Sequence, residues 1–484
     1  MKPVDPLSDD FLLNMTSDQA RDLSRDPAQA EWALLRLQAI ANAAAQDAST
    51  GSAAPAPDPS TPSSMMAPYA KQPGKKKPKP RGRPAGHAGA RRAAPVHIDR
   101  RVEHKLKNCP DCGGKVTKRG KPRTRIIEDI APTGPEATEH AINNYYCPCC
   151  KKRVEPRVAD APPKCAVGNR AIALTSWLHY GLGNTVSQIQ DVLSKLFQLP
   201  VSPGGLTHMW ARLAEAFRPW ADQIAEAARG AAVLNADETG WRVNGKTHWL
   251  WCFTAPGVTY YEIDKSRGHG ALLAFIGETF AGTLVSDFFG AYNKIAADRR
   301  QVCMAHLLRE IKKVSERNSG EDWSHFAKPL KKLLKDALRL AKRADRDADD
   351  YASKRARIKQ RLDDLCFGPL VRGDDARRIM KRLTTFQDYL FTFLDDIAVP
   401  PDNNRAEREI RPAVIARKNS FHNTSDRGAA TQAALMSIHR TLKLRGRDPI
   451  AELAAALRAH TLTGTLPPLP GAHHPVADSQ SPGP

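Results

Sequence analysis

Val233-Leu234 leading to Asp237, Trp249-Leu250-Trp251-Cys252-Phe253, and Thr283-Leu284-Val285-Ser286-Asp287 are the stretches that decide the fold. Each is a short apolar run rich in branched or aromatic residues, the pattern of a buried strand. Val258–Ile263 reads as a further strand and Ala271–Ile276 as a helix between strands. Gln301-Val302-Cys303 runs into a helix that starts at Met304. Strands interleaved with helices predict an α/β core.

Asp237 and Asp287 each end one of these apolar strands and lie 50 residues apart. Strands that end side by side would bring both carboxylates to one rim of the sheet. Paired carboxylates repel unless a cation sits between them, and Mg²⁺ (or Mn²⁺) is the hard, oxygen-seeking filler. Two such ions about 4 Å apart clamp the attacking and leaving oxygens in phosphodiester displacement. A third carboxylate would complete the site. The candidate is Glu407, in Pro401-Asp402-Asn403-Asn404-Arg405-Ala406-Glu407-Arg408, with Asp402 capping a helix and Glu407 in its second turn. Glu409, two residues on, is expected to face away. Residues 322–396 between them are charged and helical, which predicts a helical insertion.

The whole chain has 484 residues, 73 Lys+Arg against 52 Asp+Glu, and a formal charge of +21. That length suits several domains, and that charge suits a polyanionic partner such as nucleic acid. No apolar run approaches the roughly 18 residues a membrane span needs. The start, Met1-Lys2-Pro3-Val4-Asp5, has no signal-peptide pattern. A cytoplasmic, nucleoid-associated protein is the expectation.

Six of the nine cysteines fall between Cys109 and Cys165. Cys109-Pro-Asp-Cys112 and Cys147-Pro-Cys-Cys150 are two Cys-x-x-Cys knuckles separated by 34 residues. Four thiolates suit a tetrahedral structural Zn²⁺, so Cys109, Cys112, Cys147 and Cys150 are the expected ligands. Cys149 competes with its neighbours, and Cys165 is a reserve. Strand-like pieces at Arg125–Ile130 and Ala141–Tyr146 would supply a ribbon's hairpins.

Charge also divides the chain. Residues 1–50 carry eight acids against four bases, with a short apolar stripe at Leu34, Leu35, Leu37 and Ile40. That stripe suits self-pairing or docking on its own domain. Residues 71–107 then hold 13 Lys/Arg and two acids. Lys75, Lys76, Lys77, Arg81 and Arg83 are the candidate DNA contacts. Pro80-Arg81-Gly82-Arg83-Pro84 resembles an AT-hook, in which Gly lets the backbone enter a narrow minor groove between two arginines. An unspecific phosphate-binding arm is the alternative. Val186, Ile189, Val192, Leu193 and Leu196 make one helical face, and Ser202-Pro203 starts the next helix as N-cap and first residue. This spacing fits a helix-turn-helix or an ordinary helical hairpin. Gly240–Thr247 matches a phosphate-loop pattern, but no helix follows it, so Asn244-Gly245 is read as a hairpin turn.

These segments resemble the IS66 family of bacterial insertion-sequence transposases. The carrying motifs are Ala236-Asp237-Glu238-Thr239-Gly240-Trp241, Ser286-Asp287-Phe288-Phe289-Gly290-Ala291-Tyr292, Cys303-Met304-Ala305-His306-Leu307 and Asp402–Arg408. Arg417-Lys418-Asn419, Gly446-Arg447-Asp448-Pro449 and the Cys-Pro-x-Cys-Gly segment also fit. The resemblance implies a ribonuclease-H-like α/β catalytic core with a helical insertion and a DDE triad, carried here by Asp237, Asp287 and Glu407. It implies cutting of DNA at element ends and joining of 3′-OH ends to target DNA. Double-stranded DNA, further copies of the chain and small accessory proteins are the implied partners. The sequence departs from the family's pattern at Met304, Leu308-Arg309, Ser420-Phe421-His422 and the arm before the cysteines, leaving the triad intact.

The expected organisation is an N-terminal helical segment (1–50), a linker and basic arm (51–107) and a zinc ribbon (108–166). A helix-turn-helix-like domain (167–230) and the catalytic core (231–420, insertion about 315–400) follow. C-terminal helices (421–460) and a disordered tail (461–484) end the chain. A DNA-binding regulator without catalysis and a structure-specific nuclease on the same fold are the competing readings.

Overall fold

The computed structural model describes residues 134–149, 151–347, 349–367, 373–420 and 422–471, with isolated positions before 134. Within residues 1–66, only Asp26, Ala30 and Ala33 are described, and Ala30 and Ala33 are helical. The expected apolar stripe, the basic arm and most of Arg125–Ile130 lie outside the described residues.

The sheet has five strands: β3 (Val233–Val243), β4 (Lys246–Ala255), β5 (Val258–Asp264), β6 (Thr279–Ser286) and β7 (Ala296–Val302). A separate hairpin joins β1 (Tyr145–Cys147) to β2 (Lys152–Val154). The five strands lie in the order β5-β4-β3-β6-β7. β3, β4 and β5 form an antiparallel meander, while β6 and β7 run parallel to β3. Asn244 and Gly245 turn β3 into β4 with φ of 48° and 72°, left-handed values that Asn and Gly tolerate best. The phosphate-loop match is therefore a hairpin. Gly282 allows β6 to pass close to the start of β3: a Cβ there would meet the Ala232 carbonyl oxygen at 2.9 Å.

Twelve α-helices are bounded among the described residues: α1 (Asn169–Ser176), α2 (Val186–Phe197), α3 (Pro203–Ala216), α4 (Arg218–Arg229), α5 (His269–Ile276), α6 (Met304–Arg317), α7 (Glu321–Leu340), α8 (Asp349–Phe367), α9 (Asp374–Thr385), α10 (Asn404–Ser420), α11 (Asp426–Leu444) and α12 (Pro449–Thr463). Ser202 caps α3 by accepting the Gly205 N–H at 3.1 Å, with Pro203 following. Ile189 and Leu193 of α2 are buried, while Leu196 is exposed. Among the described residues, no helix is long and apolar enough to cross a membrane.

The period-two alternation of strands feeds two hydrophobic clusters. Leu284 joins a cluster that contains α1–α4, α11, α12 and the β3–β5 meander. Val285, the next residue, joins Val302 and the helices α6–α9. Edge strand β5 is covered by α11. Ser437 Oγ accepts the Tyr261 N–H at 2.8 Å and Thr441 Oγ1 accepts the Thr259 N–H at 3.1 Å. An edge whose donors are used in this way cannot template further pairing.

Three expectations need correction. Asp237 does not end its strand: β3 continues six residues to Val243 because β4 pairs along that length. Glu407 lies in the first turn of α10, not the second, since that helix begins at Asn404. The tail expected to be disordered from 461 is ordered to Gly471. α12 runs to Thr463, the Pro467 carbonyl accepts the Trp220 indole N–H at 2.6 Å, and Leu466 and Leu469 pack on the core. Residues 472–484 lie outside the described residues.

Candidate active site

β3 and β6 are paired through Val233–Thr283, Leu234–Leu284 and Asn235–Val285. Continued by two residues, this register sets Asp237 beside Asp287, just past the last shared rung. β6 ends at Ser286, and Asp287 opens a turn in which its Oδ1 accepts the Phe289 N–H at 2.9 Å. Asp237 accepts the Glu238 N–H at 2.9 Å.

Glu407 reaches this rim from another part of the chain. The start of α10 is tied to β3 by Asn403, which is fully buried. Its Nδ2 donates to the Ala236 carbonyl at 2.8 Å, and its Oδ1 accepts from Asn235 Nδ2 at 3.0 Å. Its backbone N–H donates to Cys303 Sγ at 3.2 Å. Cys303 in turn donates its N–H to Ser286 at 2.9 Å, and Met304 donates to Pro401 at 3.0 Å. One network thus joins the end of β6, the start of α6 and the start of α10. Glu407, one turn after Asn403, then faces α6, where Arg309 Nη2 meets its Oε1 at 2.9 Å and His306 Nε2 lies 3.7 Å away.

The carboxylates feel one another. Burial, then Glu238, Asp287 and Glu407, hold the Asp237 carboxyl well above its usual range, against the pull of the Glu238 N–H. Glu238 is pushed up to about 7 by burial and by Asp287, against Arg267 and Tyr292. Arg267 pairs with Glu238 at 2.9 Å, its guanidinium 4.7 Å from the Trp249 ring centroid and 4.1 Å from that of Phe289. Tyr292 donates its hydroxyl to the other Glu238 oxygen at 2.8 Å. Burial lowers the His306 pKa, as does Arg309, while Asp287 and Glu407 raise it. Burial pushes the Cys303 thiol up to about 11, against its backbone amide donors. Among the described residues, no ion pair reaches Asp237 or Asp287. Such a set of oxygens suits a hard divalent cation.

Glu409 is elsewhere: Arg440 Nε and Nη2 donate to its Oε2 at 2.9 and 2.6 Å inside the core. Glu310, four residues after His306, pairs with Arg378 and Arg382 of α9. Sequence alone assigns no role to Asn403, Arg267 or Tyr292. Asn403 and Tyr292 lie inside quoted motifs, whereas Arg267, in the loop before α5, carried no signal.

For the cysteines, the described part shows two tight turns. A bridge between Asn108 and Lys115 closes the first, with Gly113 at φ 72°. The second lies in the β1–β2 hairpin, where Cys147 pairs in register with Lys152. Cys112 and Cys149 are exposed and Cys147 is half-buried. Cys109, Cys150, Lys75, Lys76, Lys77, Arg81 and Arg83 lie outside the described residues.

The family described as "Transposase IS66 family" matches residues 164–431, and "zinc-finger binding domain of transposase IS66" matches residues 107–151. Three relatives from Sinorhizobium fredii (strain NBRC 101917 / NGR234) are similar. Uncharacterized protein y4qI is 27% identical over 267 residues, covering 49% of this chain and 49% of its own length. Uncharacterized protein y4hP is 23% identical (75% of this chain, 72% of its own). Uncharacterized protein y4jD is 24% identical (75% and 77%). The chain thus spans about half the length of the first relative and about three quarters of the other two.

Proposed function

Because the chain belongs to the IS66 transposase family, we propose that it cuts DNA at the ends of a mobile element and joins the 3′-OH ends to target DNA, with Asp237, Asp287 and Glu407 as the reactive centre. The observation that carries this reading is the shared β3–β6 register that aligns Asp237 with Asp287, with Asn403 bringing Glu407 to the same rim. The strand order β5-β4-β3-β6-β7, antiparallel on one side and parallel on the other, supports a ribonuclease-H-like core.

The donor set fits Mg²⁺ or Mn²⁺. It offers three carboxylates, two of them without an ion pair among the described residues, and one held high by burial and by its carboxylate neighbours. A bound divalent cation would polarise the phosphate and ease deprotonation of the attacking hydroxyl. The protein's own part is positioning. Asn403 fixes the start of α10, so Glu407 cannot drift from β3. Glu238, clamped by Arg267 and Tyr292, keeps β3 and the turn after β6 in place. Arg309 neutralises Glu407 and offers its remaining N–H groups to a phosphate oxygen.

Around this centre, Cys109, Cys112, Cys147 and Cys150 hold Zn²⁺ in the proposal. The arm with Lys75, Lys76, Lys77, Arg81 and Arg83 tracks DNA phosphates, and α2 with α3 adds a helical contact. Asp237→Asn and Asp287→Asn keep side-chain shape and remove charge. Both should abolish Mg²⁺-dependent cleavage and joining of element ends while end binding survives. Cleavage without joining by the unaltered chain would instead indicate a nuclease, and normal cleavage by Asp237→Asn would overturn the proposed centre.

A further inference from the structure

Cys303, His306 and Glu407 each offer one donor atom, and these three atoms lie within 4.8 Å of one another. Cys303 and His306 stand three residues apart, at the N-cap and in the first turn of α6, so both face the same side. Glu407 meets them from α10. The cysteine sulfur is buried and receives the Asn403 N–H at 3.2 Å. His306 Nδ1 is also buried, with no hydrogen-bond partner among the described residues. Buried ring nitrogens are normally satisfied, and an orphan in a ring grouped with a thiol and a carboxylate invites a metal ion.

We infer that Cys303, His306 and Glu407 form a zinc-class transition-metal site, distinct from the Cys-rich segment and sharing Glu407 with the carboxylate centre. The donor chemistry selects the metal. A thiolate and an imidazole favour Zn²⁺ over Mg²⁺, which takes oxygen and keeps its waters. Tetrahedral zinc holds its donors roughly 3.3–3.8 Å apart. His306 and Glu407 are 37% and 28% exposed, so their side chains can rotate to close the set. Binding replaces the thiol proton, which leaves to solvent. It also displaces Arg309, whose side chain is 52% exposed and able to turn away. The fourth position stays open to water.

The regulatory consequence rests on the proposed function. Glu407 engaged with zinc is withdrawn from Asp237 and Asp287, so free zinc should antagonise Mg²⁺-dependent cleavage. Met304 and Ala305 contribute no donor, so the site depends on the i, i+3 spacing of Cys303 and His306 alone on α6.

The test uses the full chain with its Cys-rich segment loaded with zinc and excess metal removed. Co²⁺ is titrated in while the zinc content is followed in parallel. One further equivalent should bind with a thiolate-to-cobalt charge-transfer band, at constant zinc. Cys303→Ser should lose that band. His306→Gln should weaken cobalt at least about tenfold, the lower end of what losing even an outer partner of a metal site costs. His306 is partly exposed, so this variant decides the matter if Cys303→Ser fails to fold. No further equivalent in the unaltered chain, a band that persists in Cys303→Ser, or unchanged cobalt affinity in His306→Gln would each overturn the site. In the cleavage assay, the half-inhibiting zinc concentration should rise at least tenfold in His306→Gln, relative to that variant's own zinc-free rate. Normal cleavage by Asp237→Asn would sink the functional reading and leave the cobalt result standing.

Discussion

Replacing Glu409 and Glu407 one at a time by Gln separates a structural carboxylate from the proposed reactive one on the same helix. The side chains of Glu409 and Arg440 are 7% and 12% exposed, so solvent hardly screens their pair. Removing the charge strands the Arg440 guanidinium in the core, and breaking a buried pair in this way costs about 3–5 kcal/mol. If residues 169–463 melt together, an unfolding entropy of about 2.1 cal/mol/K per residue gives about 0.62 kcal/mol/K. The Glu409→Gln melting temperature should therefore fall by about 5–8 °C. Glu407 pairs instead with a half-exposed Arg309, a contact worth at most about 1 kcal/mol. Glu407→Gln should melt within about 2 °C of the unaltered chain. It should nonetheless lose Mg²⁺-dependent cleavage by at least about a hundredfold, the lower end for one group that stabilises developing charge. Calorimetry, strand cleavage on labelled element ends and DNA binding as a control make the comparison. The reasoning fails if Glu407→Gln cleaves normally, or if Glu409→Gln loses cleavage with an unchanged melting temperature.

Asn403→Ala removes the bonds to Ala236 and Asn235 from a fully buried position. It should cost about 2–4 kcal/mol and slow cleavage without weakening DNA binding; equal loss of both would show that Asn403 does not act through Glu407. Glu238 titrates near 7 when folded and near 4.5 when unfolded, so the unfolded chain ionises first. Its stabilising share is thus complete below pH 4.5 and is lost as pH rises to about 7, with Asp237 acting in the same direction. Melting curves from pH 4.5 to 8, without added divalent cation, should show Glu238→Gln flattening that decline. Arg81→Ala with Arg83→Ala should lower the slope of log affinity against log salt by about 1.8 for two lost phosphate contacts, and an unchanged slope would exclude the arm. Chelation of zinc should unfold residues 107–151, seen as new protease cleavage there; a segment equally resistant without zinc would contradict a metal-held fold.

How much of this was legible in the sequence depends on the range of the forces involved. Local pattern was enough for the apolar strands at Trp249–Phe253 and Val258–Ile263, the Asn244-Gly245 turn, and the Ser202-Pro203 start of α3. In each, a short apolar run, a left-handed φ or a cap acts within a few residues. Local pattern misjudged where β3 stops. Thr239–Val243 looks like a departure from an apolar run, yet β4 pairs with it rung by rung, and pairing, not hydropathy, sets a strand's length.

Composition suits a polyanionic partner, and the motif run points to three carboxylates without saying how they meet. Their meeting is a tertiary matter. Asp237 and Asp287 align because β3 and β6 share a register across an intervening helix and two strands. Glu407 joins them because Asn403, 168 residues from Asn235, is sealed between β3 and Cys303. The roles of Glu407 and Glu409 are likewise invisible in the sequence, where both are helix acids two positions apart. Only the packing of α11 puts Arg440 beside one, and only the packing of α6 puts His306 and Arg309 beside the other. Sequence specifies which groups are available, through propensity and spacing. Which of them are desolvated, neutralised or brought into contact follows from long-range burial, because the energies of charges depend on neighbours the chain brings in from far away.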